Sequence, residues 1–129
     1  MTQRNIEIMD VIVDKMIAGE TLSQALKSVY EVRHVCIPCN EDNFNIPIQS
    51  LKMSCRSTNG LLRVGMRTLG DVVNYCNKHK ITDIANLGKG SGIEVLETIL
   101  DYCWSKMTVK ERTEFLIDTV ERNSINIRA

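Results

Sequence analysis

Apolar positions recur along this sequence at three- and four-residue intervals and never settle into a sustained two-residue alternation, so the pattern predicts helices and no strands. Over residues 3–18, Ile6, Met9, Val13, Met16 and Ile17 keep helical spacing on one face. Ile8, Val11 and Ile12 widen the apolar surface beyond one stripe, so this helix calls for cover on more than one side, from the rest of the domain or from a second copy. Gly19 is the expected stop, and Thr21 the expected N-cap of a second helix reaching Arg33, with Leu22, Ala25, Leu26, Val29 and Tyr30 inward. The opening Gly19-Glu20-Thr21-Leu22 could begin a helix-turn-helix, but Arg33-His34-Val35-Cys36-Ile37-Pro38-Cys39 cannot serve as a recognition helix, which leaves an αα-hairpin.

Residues 34–50 are irregular, with Pro38, Pro47 and the polar run Asn40-Glu41-Asp42-Asn43, and mark an internal boundary. Beyond it Ser54 caps a short helix, Val64-Gly65-Met66 forms a turn, and Thr68 caps a helix with Leu69, Val72, Val73 and Cys76 inward. A helical turn is expected over Ile81–Ala85. The longest helix of this part is expected over Ser91–Met107, burying Val95, Leu96, Ile99, Leu100, Cys103 and Trp104. Thr108 with Glu111 is a capping-box pattern that starts a last helix, in which Phe115, Leu116 and Val120 are spaced to pack. The predicted fold is all-α, a compact multi-helix domain over 46–107, preceded by a helical hairpin and irregular linker over 1–45 and followed by a C-terminal helix over 108–129 that packs on it.

Composition narrows the class. At 129 residues, 43% hydrophobic and 25% charged, the sequence is one globular domain's worth and not a disordered segment. No apolar run is long enough to span a membrane and acids sit among the first ten residues, so neither export nor membrane insertion is expected and the cytoplasm is the expected compartment. Net charge is zero, yet residues 1–45 carry −3, residues 46–107 carry +3 and the tail is neutral. A mildly basic centre permits nucleic-acid binding and predicts weak affinity, because the phosphate contribution scales with the number of contacting cations.

The 5 cysteines, an odd number at irregular spacing, are expected as reduced thiols. Cys36-x-x-Cys39 lies two residues after His34, but a zinc site would need a second pair of ligands, and Cys55, Cys76, His79 and Cys103 are scattered singly. A redox role would need the pair at a helix start within a βαβ pattern. No metal or cofactor is expected. No Ser/His/Asp or Cys/His grouping offers a catalytic centre, and Glu94, Glu97 and Asp101, at i, i+3 and i+7, read as a solvated helix face. An enzyme is not expected.

The feature with most chemical promise is the turn Asn86-Leu87-Gly88-Lys89-Gly90 that leads through Ser91 into the longest helix. A glycine turn feeding a helix start leaves outward-pointing N–H groups at the positive end of the helix dipole, a site suited to phosphate. The bland alternative is a helix start closing a small core.

Ser50–Val73, with its R-S-T-N-G-L helix and T-L-G-D-V-V block, followed by N-L-G-K-G-S, resembles the C-terminal domain of the bacterial RNA polymerase α subunit over about 60 residues, roughly 47–107. The resemblance implies a compact helical fold with a helix-hairpin-helix-like element, binding to the minor groove of A·T-rich DNA, and contacts with transcription factors or polymerase. It places the groove-entering arginine at Arg56, its helix neighbour at Asn59, and the phosphate-facing glycine, lysine and serine at Gly88, Lys89 and Ser91. The second lysine of the family's pair is Gly90 here, one cation fewer. The acidic hairpin stands where the family has a large assembly domain, so a free-standing relative is expected rather than the subunit itself. The leading expectation is a small transcription-associated protein binding double-stranded DNA weakly, aided by homodimerisation through the first helix. The alternative is a protein-interaction module of the same fold that has lost DNA binding and engages a transcription factor or polymerase.

Overall fold

The computed structural model describes residues 2–30, 41–84 and 87–123. Among them run α1 (Gln3–Ile17), α2 (Leu22–Lys27), α3 (Cys55–Arg63), α4 (Leu69–Cys76), α5 (Lys89–Ser105) and α6 (Val109–Arg122), with single 3₁₀ turns at Glu41–Asn43, Ile48–Ser50 and Ile81–Asp83. The architecture is all-α. Threonine opens four of the helices. Thr2 Oγ1 accepts from the Asn5 N–H at 3.1 Å, and Thr21, Thr68 and Thr108 form reciprocal capping boxes with Gln24, Asp71 and Glu111. Each such cap is worth about 0.5–2 kcal/mol. Gly19 and Gly65, at φ 107° and 86°, close α1 and α3 with the paired hydrogen bonds of a Schellman motif, a conformation that favours glycine.

α5 is the spine. Its Val95, Leu96, Ile99, Leu100 and Cys103 are buried under α2, α3 and the Ile81–Asp83 turn. α1 packs on α2 and α6, and one continuous core takes in Ile12, Leu26, Tyr30, Leu61, Val72, Leu96 and Phe115. The hairpin and the last helix thus share the core of the central helices.

Three sequence expectations change. The hairpin's second helix ends at Lys27, where the Ser28 hydroxyl donates to the Ala25 carbonyl at 2.7 Å; its expected continuation through 31–33 and the Cys36/Cys39 pair fall outside the described residues. The inward face of α1 centres on Asn5 and Ile12, both buried, while Ile6 and Ile17, chosen by spacing, are 40% and 79% exposed. The directions of α2 and α6, which no local pattern encodes, set that rotation. α5 begins at Lys89, two residues before Ser91, so the glycine turn is shorter and its last residues are helical.

The segment before α3 is tied to the start of α4. Ile48 N–H donates to Arg67 O at 3.0 Å, Leu69 N–H to Ile46 O at 2.8 Å and Gly70 N–H to Phe44 O at 3.0 Å, around an isolated antiparallel bridge between Pro47 and Thr68. Gly70 is held so close that a Cβ there would lie 2.9 Å from Phe44 Cβ and 3.0 Å from its carbonyl oxygen. Alanine favours a helix over glycine by about 1 kcal/mol, whereas overpacking costs roughly 1–3 kcal/mol. Because backbone is part of the obstacle, the clash wins: Gly70→Ala should lower unfolding free energy by roughly 1–2 kcal/mol in a urea titration monitored by circular dichroism.

Candidate nucleic-acid interface

Leu87, buried, anchors the glycine turn to α3, close above Gly60: a Cβ at Gly60 would lie 2.6 Å from Leu87 Cδ1. That approach sets the start of α5 against the start of α3. Gly88 follows at φ 84° and ψ 156°, a left-handed conformation that disfavours any side chain, and is the N-cap residue of α5, with no side-group hydrogen bond closing the helix start. The Gly92 N–H bonds back to Gly88 O at 3.0 Å, and Lys89, Gly90 and Ser91 make up the first turn of α5, the end of a helix whose N–H groups and dipole suit an anion.

Arg56, exposed in the first turn of α3, reaches this cap. A Cβ placed on Gly88 would sit 3.7 Å from Arg56 Nη2, ordinary contact distance. Ser54, Arg56, Leu87, Gly88, Lys89, Gly90, Ser91 and Glu94 line an open depression of about 400 Å³. Four of the sequence-predicted residues, Arg56, Gly88, Lys89 and Ser91, are thereby brought to one place. Asn59 is not among its lining residues; it is exposed one turn along α3. Gly90 faces open space, with nothing within 4 Å of a Cβ built on it.

Glu94 is the residue that sequence reasoning missed. Its carboxylate accepts from the Ser54 hydroxyl at 2.7 Å, from the Ser54 N–H at 3.3 Å and from the Ser57 hydroxyl, bracing the start of α3 against α5. The Ser57 and Ser54 hydroxyls hold its pKa below the ordinary value, so it stays charged beside the cations. The rest of the acidic stripe is engaged in the same way. Asp101 accepts from Ser23 N–H and Oγ at 3.0 and 2.8 Å, at the start of α2, and Glu97 pairs with Lys27 at 3.0 Å. The solvated face expected from sequence is in fact the seam that docks α2 and α3. Only its periodicity was visible in sequence; its partners lie 37–78 residues away.

Other chemistry is sparse. Cys55, Cys76 and Cys103 carry thiols, and burial pushes Cys76 up to about 12, which makes it a poor nucleophile. No group of three or more His, Cys, Asp or Glu able to hold a metal occurs among the described residues, and no helix among them is long and apolar enough to cross a membrane.

Folded-state depression of a carboxyl pKa stabilises the fold above the unfolded value and is lost as pH falls through the folded value. Wild type should therefore lose stability as pH drops below about 4.5, the ordinary value for Glu94. Glu94→Gln, which keeps an acceptor but no titration, should show a shallower loss over that window in thermal melts.

The family model for the C-terminal domain of the bacterial RNA polymerase alpha subunit matches residues 38–101, which take in α3, α4, the glycine turn and most of α5, and leave out α1, α2 and α6. No curated protein and no solved structure matches this sequence. Residues 38–101 thus form a partial segment resembling the C-terminal domain of the bacterial RNA polymerase alpha subunit.

Proposed function

We propose that this protein is a transcription-associated DNA-binding protein that presents Arg56 to an A·T-rich minor groove and the N-terminus of α5 to the adjacent phosphate. The observation that carries the reading is the approach of Arg56 Nη2 to 3.7 Å from where a Cβ on Gly88 would stand, which puts a guanidinium and the start of α5 on one depression. A narrow A·T-rich groove concentrates negative potential and attracts a guanidinium, while the helix start holds phosphate through N–H groups and dipole. Lys89 adds a second cation and Ser91 a hydroxyl; Asn59, one turn from Arg56, extends the same helix face toward the duplex. The reading is one of binding, without catalysis.

Magnitudes argue for weak binding per copy. Arg56 and Lys89 supply two positive charges and Glu94 subtracts one within the same depression. Glu94 and the missing cation at Gly90 favour a second reading, in which this fold engages a transcription factor or polymerase and has given up DNA.

Fluorescence anisotropy with A·T-rich and G·C-rich duplexes at low salt tests the first reading. Wild type should prefer the A·T-rich duplex, and Arg56→Ala should weaken it about tenfold or more, in line with the roughly 1–3 kcal/mol of a groove contact. Equal, negligible binding to both duplexes, unchanged by Arg56→Ala, would sink it. Gly90→Lys, which has room, should tighten binding and steepen the dependence of log K on log salt by about 0.9, one further phosphate contact. If only the Gly90→Lys protein binds DNA, the interaction-module reading stands instead.

A further inference from the structure

Arg56 and Asn59 belong to a longer pattern on α3. From Asn43 to Gly70 the sequence has no Asp or Glu, its longest acid-free stretch, and carries Lys52, Arg56, Arg63 and Arg67. α3 lies inside that stretch; its exposed residues are Cys55, Arg56, Asn59 and Arg63, while Ser57, Gly60 and Leu61 are buried. Arg56, Asn59 and Arg63 stand at i, i+3 and i+7, and helix positions seven apart are rotated by only about 20°. Arg63 therefore shares the Arg56 face, about 10 Å further along the axis at about 1.5 Å per residue. It does not line the depression at Gly88.

The acids of the surrounding elements set Arg63 apart from the other three cations. Glu94 is held by Ser54 and Ser57, at the Arg56 end of α3. Lys52 lines a second depression with Glu94, Glu97 and Asp101. Asp71 accepts from the N–H groups of Arg67 and Thr68 at 2.9 and 3.1 Å, beside Arg67. Asp83 acts on Tyr75 of α4. Among the described residues no carboxylate or other hydrogen-bond partner engages the exposed Arg63 guanidinium.

An α-helix is about 10–12 Å across and the minor groove about 6 Å wide, so α3 stays outside the groove and only a long side chain enters. With Arg56 in the groove, a cation about 10 Å along the same face meets the sugar-phosphate backbone at the groove's edge. We propose that Arg63 anchors a second backbone phosphate, beyond the one at the start of α5, and so fixes how α3 lies on the duplex. The proposal rests on the DNA reading above and divides the work within it: Arg56 reads the groove, and Arg63 adds affinity that carries no sequence information. A cation in the last turn of α3 also complements the helix dipole, a role that bears on stability and not on the salt dependence of binding.

Fluorescence anisotropy of the whole protein with A·T-rich and G·C-rich duplexes, from about 50 mM salt upward, tests it. Arg63→Ala should weaken both duplexes by the same factor, roughly tenfold at about 50 mM salt, and lower the slope of log K against log salt by about 0.9. The A·T preference should survive Arg63→Ala and fall with Arg56→Ala. Arg63→Lys should restore the slope, because a phosphate needs only a point charge. Lys110→Ala removes an equal charge from α6, which packs on α1, and should leave binding unchanged. A slope untouched by Arg63→Ala, in a protein whose binding still depends on Arg56, overturns this proposal alone. So does a lost A·T preference in Arg63→Ala, or an equal effect of Lys110→Ala. Absence of wild-type binding to either duplex overturns it together with the DNA reading.

Discussion

Two carboxylates on one edge of α5 hold the rest of the molecule in register. Asp101 accepts the hydroxyl and backbone N–H of Ser23 at the start of α2, where the helix dipole favours a negative charge. Glu94 does the same for α3 through Ser54 and Ser57. Hydrogen bonds to charged groups contribute about 1.5–3 kcal/mol each, whereas an exposed ion pair such as Lys27–Glu97 contributes about 0–1 kcal/mol. Glu94 and Asp101 therefore matter more than the more obvious salt bridge between them. Burial of the neighbouring α5 face supplies the driving force of folding, but apolar contact is non-directional; these polar contacts fix which turn of α2 and of α3 meets which turn of α5.

The candidate interface is a consequence of that registration. Once Glu94 braces the start of α3 on α5 and Leu87 settles close to Gly60, Arg56 has only to extend to reach the cap at Gly88. The same carboxylate that positions the arginine also offsets its charge. Assembly and function pull in opposite directions at Glu94, and the depression carries a small net positive charge rather than a strongly basic patch.

Much of the fold was legible because its signals are local. Thr21, Thr68 and Thr108 with their acceptors three residues on, Gly19 as a helix stop, and the spacing of Val95, Leu96, Ile99 and Leu100 all act within one or two turns. The start of α5 was misplaced by two residues because Ser91 resembles an N-cap, whereas a left-handed Gly88 can end the turn earlier. The inward face of α1 was rotated because three adjacent stripes of that helix are apolar, and periodicity cannot choose among them.

By itself the sequence determined the all-α class, most helix boundaries, and the residue types that make Arg56, Gly88, Lys89 and Ser91 candidates for nucleic-acid contact. Only the tertiary structure decided that these four meet at one depression, that Asn59 stands to one side of it, and that Glu94, Glu97 and Asp101 form a docking seam. The physical reason is range. Caps and helical periodicity are written within a few residues, while the partner of a carboxylate is chosen by how helices far apart in sequence pack, which one-dimensional spacing does not encode.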